Sequence, residues 1–376
     1  MKFIDLEKQQ TQVHPSGGIL KDKILSNIKE VMTHGKYILG PEVSTLEETL
    51  KKHIGTDHCI ATGSGTDALL VSLMALKIKK GDEVITTPFS FIATAETIAL
   101  LGAIPVYVDI DPKTFNIDPE KIEEFISTKT KAIIAVSLYG QPADFEKINK
   151  IAKKHSLPVI EDAAQSFGAL SHNKKSCSLS TIGVTSFFPS KPLGCYGDGG
   201  ACFTDDDDLA EDIRRISRHG QKKRYFHTDL GINGRLDTIQ AAVLLAKWPV
   251  FLKEVELRNK IANLYTEKLN SNGIHSTPLI EKHNKSVFAQ YTIRVKERAK
   301  VISSLKESGI PTSVHYPIPL FQQPALKEIN NKSALKECLY KNSLKASQEV
   351  LSLPMHPYIT EETIEKVTKS LKEATT

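Results

Sequence analysis

The chain has 376 residues, 40% of them hydrophobic and 25% charged, with a formal net charge of +5. That length suits two domains better than one simple core, and so small a charge gives no case for nucleic acid or a membrane as partner, while anionic small molecules are not disfavoured. Five scattered cysteines (Cys59, Cys177, Cys195, Cys202 and Cys338) contain no Cys-x-x-Cys, which argues against a disulfide framework or a structural zinc site. The first residues lack an apolar leader core and no run approaches the ~20 apolar residues of a membrane span, so a cytoplasmic location is expected.

In chain order, residues 3–41 read as an approach segment with one helix, about Ile19 to Met32. Gly40-Pro41 marks a turn, after which Val43, Leu46, Leu50 and Ile54 recur at helical spacing. Short apolar strands are predicted near 58–61, 83–87, 104–108, 131–137, 157–161, 182–188 and 200–204, with helices such as Thr66–Ile78 and Phe145–His155 between most of them. That alternation predicts a mostly parallel sheet covered on both faces. The Asp205–Asp208 run reads as the acidic start of a further helix. Trp248-Pro249 is read as a domain boundary, giving a large domain over 1–249 and a smaller α+β domain over 250–376. The second part is expected to hold a helix at about Phe251–Asn272, a strand at Ala289–Val295, a helix at Arg298–Ser308, a strand at Thr312–Tyr316 and a final helix after Thr360. There Thr360 and Thr363 make half of a capping box.

One stretch organises the rest, Thr185-Ser-Phe-Phe-Pro-Ser-Lys-Pro-Leu-Gly-Cys-Tyr-Gly-Asp-Gly-Gly200. Pro189 and Pro192 end the buried strand before them, since neither can donate to a sheet ladder. Lys191 stands between them, ahead of four glycines. A lysine in a turn is more often solvated than reactive, but desolvation can turn one into a Schiff-base amine. Upstream, Pro158-Val-Ile-Glu-Asp-Ala-Ala-Gln-Ser166 is a second apolar strand ending in Asp162. A lysine to bind an aldehyde and a carboxylate to keep a ring nitrogen protonated are what a pyridoxal phosphate site needs. Spacing alone is a weak signal for that pairing.

The strings "GTDAL", "PVIEDAAQSFGA" and "TSFFPSKPLGCYGDGGA" resemble the DegT/DnrJ/StrS family of nucleotide-sugar aminotransferases, and the likeness runs from "FIDL" at residue 3 to "LPMHPY" at residue 353. The resemblance is strongest to the branch that aminates a UDP-linked 3-keto uronic acid for O-antigen synthesis. It implies the type I aminotransferase fold, with a mostly parallel seven-stranded sheet in the large domain and a smaller C-terminal domain, working as a homodimer with shared active sites. It also implies pyridoxal 5'-phosphate passing through pyridoxamine phosphate, L-glutamate and 2-oxoglutarate as donor pair, and a UDP-linked keto sugar as acceptor. By the same resemblance Lys191 carries the cofactor and Asp162 meets the pyridinium nitrogen. Gly65, Thr66 and Ser186 hold the phosphate, Phe91 stacks on the ring, Gln165 bonds the phenolic oxygen, and Asn233 reaches across from the neighbouring subunit. Arg235, His315 and Tyr316 match substrate-contacting loops, and an arginine fork suits a uronate.

From the residues alone, Gly65-Thr66 also reads as an ordinary helix entry and Asn233-Gly234 as a turn, while the Lys and Arg residues between Arg214 and His227 read mostly as a solvated helix end. Three other functions stay open. A dehydratase of the same fold would carry histidine in place of Lys191. A dinucleotide oxidoreductase would need Gly-x-Gly-x-x-Gly after the first strand, where Gly63-Ser-Gly-Thr-Asp-Ala68 ends in alanine. The third is a non-enzymatic regulator, and a 4-keto-6-deoxy nucleotide sugar is the alternative substrate.

Overall fold

The computed structural model describes residues 1–330 and 337–375. All seven predicted strands form one sheet: β1 (His58–Thr62), β2 (Glu83–Thr86), β3 (Ile104–Tyr107), β4 (Thr130–Val136), β5 (Val159–Asp162), β6 (Ile182–Ser186) and β7 (Gly200–Thr204), in the order β1-β7-β6-β5-β4-β2-β3. Every neighbouring pair from β6 to β3 is parallel. Only β7 runs against its neighbours, β1 and β6.

Both sheet faces are covered, which is why the strands read as near-continuous apolar runs. On β7, Ala201 and Phe203 face one way and Cys202 the other. The first face packs on α2 (Pro41–Ile54), through residues such as Val43, Leu46 and Leu50, and on the first half of a long helix described below, whose outer side is covered by α1 (Leu20–His34) through Leu20 and Ile24. The opposite face packs on α3 (Gly65–Ala75) through Ala68, Leu69 and Val71. The helix over Ala93–Leu100 (α4) follows β2, and α5 (Phe145–Lys154) lays Phe145, Ile148 and Ala152 against Ile133 and Val159. The acidic run starts α6 (Asp207–Ile216), with Asp206 as its cap, accepting from the Leu209 amide at 2.9 Å.

The expected helix start at Phe251 is corrected by the structure. A single helix, α7 (Thr238–Ser271), begins earlier and carries Pro249 inside it. A proline inside a helix removes one donor, and here the apolar residues on either side hold the helix through it. Ala241, Leu244, Phe251 and Val255 lie in the sheet's core, whereas Ile261, Ala262, Tyr265 and Leu269 lie in a second one. That second core holds the antiparallel pair β8 (Tyr291–Arg294) and β9 (Val350–Leu353), together with α8 (Arg298–Glu307) and α10 (Glu361–Thr375), while α9 (Lys341–Glu349) leads into β9. Thr360 does accept from the Thr363 amide, at 3.3 Å. The expected strand at Thr312–Tyr316 is absent; Ser313 makes one isolated bridge to Ser352. Pro311 and Pro317 flank that stretch, and neither can donate to a ladder.

Candidate active site

The carboxyl ends of β1, β2, β4, β5 and β6 open on one cavity of about 520 Å³. Crevices outside the carboxyl ends of parallel strands are where open α/β sheets bind ligands. Ser64, Gly65 and Thr66 enter it after β1, Ser90, Phe91 and Thr94 after β2, and Asp162 and Gln165 after β5. Ser186, Phe188 and Lys191 follow β6, and Gln290, His315 and Tyr316 come from the C-terminal part of the chain. Of the eleven residues singled out in the sequence, nine line this cavity. Asn233 and Arg235 do not. Asn233 is exposed, and Arg235 donates from Nε and a terminal guanidinium nitrogen to its Oδ1, at 2.9 and 2.6 Å.

The floor is built by α3. Ser64 caps it, accepting from the Asp67 amide at 2.9 Å, so the amides of Gly65 and Thr66 fall in the first turn, where they have no partner within the helix. A Cβ on Gly65 would come within 2.7 Å of the Ser186 Cβ, and one on Gly200 within 2.5 Å of the Ser64 carbonyl oxygen. Only glycine therefore lets the helix start, the end of β6 and the start of β7 meet. The resulting cradle of amides with the Ser186 and Thr66 hydroxyls suits a phosphate dianion.

Asp162 is buried at the end of β5. Its Oδ2 accepts from the Thr94 hydroxyl at 2.9 Å and its Oδ1 from the Ala164 amide at 3.2 Å. Burial pushes its pKa above the usual carboxylate range, against those two hydrogen bonds and the nearby Lys191 charge, which favour the ionised form. Lys191 shows the converse. Burial pulls its amine below the ordinary lysine range, and Asp162 works the other way. The two groups come together because β5 and β6 are parallel neighbours, with Asp162 opposite Val184.

Gln165 is fixed in orientation. Its Oε1 accepts from the Tyr139 amide at 2.8 Å, which leaves its Nε2 to donate to the Tyr316 hydroxyl at 3.1 Å. Tyr316 is pushed up by burial and by Asp162, so it keeps its proton. His315 is lowered to about 4 by burial and by Lys191, so it is neutral at physiological pH, with Nδ1 2.9 Å from the Ser352 hydroxyl. Phe91 is half exposed at the cavity, 6.3 Å from the Tyr316 ring. Sequence reasoning passed over Thr94, Tyr139 and Gln290. Thr94 stands one turn after Phe91, a spacing that could have flagged it. Tyr139 and Gln290 carry no local signal, and the Oε1 of Gln290 is buried without a hydrogen-bond partner among the described residues. A phosphate cradle, a desolvated amine, a buried carboxylate and an unmet acceptor together fit pyridoxal phosphate.

Comparison with known proteins gives the family. Residues 19–372 match the DegT/DnrJ/EryC1/StrS aminotransferase family. The chain is 55% identical to the UDP-2-acetamido-2-deoxy-3-oxo-D-glucuronate aminotransferase of Pseudomonas aeruginosa, over 96% of each chain. It is 45% identical to a pleiotropic regulatory protein of Geobacillus stearothermophilus, over 99% of this chain and 97% of the other. A crystal structure of NtdA from Bacillus subtilis with bound cofactor PMP superposes with a TM-score of 0.89 at 32% identity, covering 100% of this chain and 85% of that one. The chain belongs to the DegT/DnrJ/EryC1/StrS aminotransferase family, whose members depend on pyridoxal phosphate.

Proposed function

We propose that the protein moves the amino group of L-glutamate to the 3-keto position of a UDP-linked N-acetyl uronic acid sugar, in the cytoplasm, for O-antigen or other surface polysaccharide synthesis. The observation that carries the catalytic part is the meeting of the Lys191 amine and the buried Asp162 carboxylate at the ends of neighbouring parallel strands, above the start of α3. The 55% identity to the Pseudomonas enzyme supports the choice of sugar.

When bound, pyridoxal phosphate supplies an aldehyde that captures amines and a ring that stabilises a carbanion. The remaining work falls to the chain. The amides of Gly65 and Thr66, with the hydroxyls of Thr66 and Ser186, hold the phosphate end. Asp162, whose ionised form the Ala164 amide and the Thr94 hydroxyl favour, would hold a proton on the ring nitrogen. Phe91 would cover the ring and Gln165 would donate to its oxygen substituent. Lys191 is the amine that takes the substrate's α-proton and returns it, and its lowered pKa leaves more of it unprotonated near neutral pH. His315, being neutral, and Tyr316, being protonated, act as hydrogen-bonding groups for the sugar rather than as charges.

A uronate needs a cation, and the Arg235 guanidinium is the candidate that lies outside its own chain's cavity. We therefore place Asn233 and Arg235 in the neighbouring subunit's site of a homodimer. The exposed apolar residues Tyr37, Ile38 and Leu39, where Ile38 bridges to Asp237 and the Tyr37 carbonyl accepts from the Thr238 amide, support a covered face there. Residues 1–249 would hold the cofactor and 250–376 close over it with Gln290, His315 and Tyr316. No helix among the described residues is long and apolar enough to cross a membrane.

The test is mass spectrometry of the two half-reactions. Protein converted by glutamate should aminate the UDP-linked 3-keto glucuronate derivative faster than 4-keto-6-deoxy nucleotide sugars. Preference for a 4-keto sugar would refute the substrate. No turnover with any keto sugar would favour the regulator reading, to which the 45% identical Geobacillus protein lends its name.

A further inference from the structure

A lysine that the chemistry above does not use is almost wholly inside the protein. Lys247, on α7, is 2% exposed. Its ammonium donates to the Gly194 carbonyl at 2.7 Å and lies 4.4 Å from the centre of the Tyr196 ring. Two helical turns earlier, on the same side of α7, Gln240 accepts through Oε1 from the Tyr196 amide at 2.9 Å. Both side chains of one helix thus grip the segment Gly194–Tyr196, just after Lys191.

The other end of that segment is tied by backbone. The Lys191 amide donates to the Phe188 carbonyl at 2.8 Å, and the Cys195 amide donates to the Phe187 carbonyl at 2.8 Å. Residues 187–195 therefore form a closed loop with Lys191 in its arc, and α7 holds that loop from outside at Gly194 and Tyr196. Burying an ammonium costs several kcal/mol unless it is well paired, and an apolar residue would fill the same space more cheaply. Burial already draws the Lys247 pKa down to about 8, with Glu254 and Cys195 opposing.

We propose that Gln240 and Lys247 are positioning residues, clamping Gly194–Tyr196 so that the Lys191 amine stands at the right place in the cavity. The inference rests on Lys191 being the reacting amine. A misplacement of about 1 Å commonly costs on the order of 100-fold in rate, so the clamp is worth its unusual buried charge.

The test uses full-length protein freed of cofactor, mixed with pyridoxal phosphate and quenched with borohydride at timed intervals. The amount fixed on the Lys191 peptide is read by mass spectrometry. Lys247→Met and Gln240→Leu should each slow attachment about 10- to 100-fold and lower kcat in proportion, with KM for glutamate within about twofold of the parent. Gln240→Glu, which keeps an acceptor for the Tyr196 amide, should recover most of the rate. Attachment at the parent rate in both variants, with only a lower Tm, would overturn the proposal, because a purely structural role predicts that pattern. If Lys247→Met does not fold, the Gln240→Leu and Gln240→Glu pair decides alone. Attachment of the cofactor to a different lysine in the parent protein would overturn the role of Lys191 and the clamp with it.

Discussion

The Asp162 carboxylate offers a prediction whose size follows from its surroundings. Thr94 is 1% exposed and its hydroxyl donates to Asp162 Oδ2 at 2.9 Å. Thr94→Val keeps the shape and removes that donor, leaving a buried carboxylate oxygen with less support. A hydrogen bond to a charged group is worth about 1.5–3 kcal/mol, or roughly 10- to 150-fold in the preference for the ionised form. The sign is set by burial, which already raises the Asp162 pKa while Thr94 lowers it. Losing Thr94 therefore raises it further, and the ionised population fails first at the acidic end. Cofactor Kd by equilibrium dialysis, across about pH 6 to pH 9, should weaken in Thr94→Val by about that factor at low pH and recover as pH rises. Circular dichroism would check that the fold is kept. A loss equal at every pH, or none, would refute the role given to the Thr94–Asp162 pair.

Glu161 is wholly buried, accepts from Ser137, Ser176 and the Cys177 amide, and is pushed up to about 7 by burial. Its raised pKa means that cofactor-free protein loses stability as pH climbs through the interval from 4.5 to about 7. Glu161→Gln should remove that loss, gaining about 2–4 kcal/mol over the parent between about pH 5 and pH 8 in urea titrations. Chains carrying Lys191→Ala and Asn233→Ala should regain activity when mixed, since one of the two sites would hold neither defect; no recovery after subunit exchange would place Asn233 in its own chain's site or in none. Arg235→Ala should reduce kcat/KM for the 3-keto glucuronate derivative roughly 30- to 150-fold more than for its uncharged analogue, measured in the second half-reaction alone because glutamate also brings carboxylates.

How much could be read in advance depended on whether the signal was local. The seven sheet strands were legible because each is a short apolar run buried on both faces, and Asp162 and Lys191 were legible because each closes or follows such a run. Pro249 misled, since a proline is local punctuation, whereas the helix around it is held by packing against two cores. Thr312–Tyr316 has the β-branched look of a strand, yet prolines deny it a ladder, and its true neighbour is the four-residue β9, too short to stand out. The orientation of Gln165 depends on the Tyr139 amide, and no pattern in the sequence brings those two residues together.

That Lys191 is the amine that meets the cofactor is tested most directly by peptide mapping. Purified protein loaded with pyridoxal phosphate and reduced with borohydride should carry the added mass on the peptide containing Lys191, and Lys191→Ala should carry none while keeping its fold. Label on another lysine, or ordinary turnover by Lys191→Ala with glutamate and a keto sugar nucleotide, would contradict it.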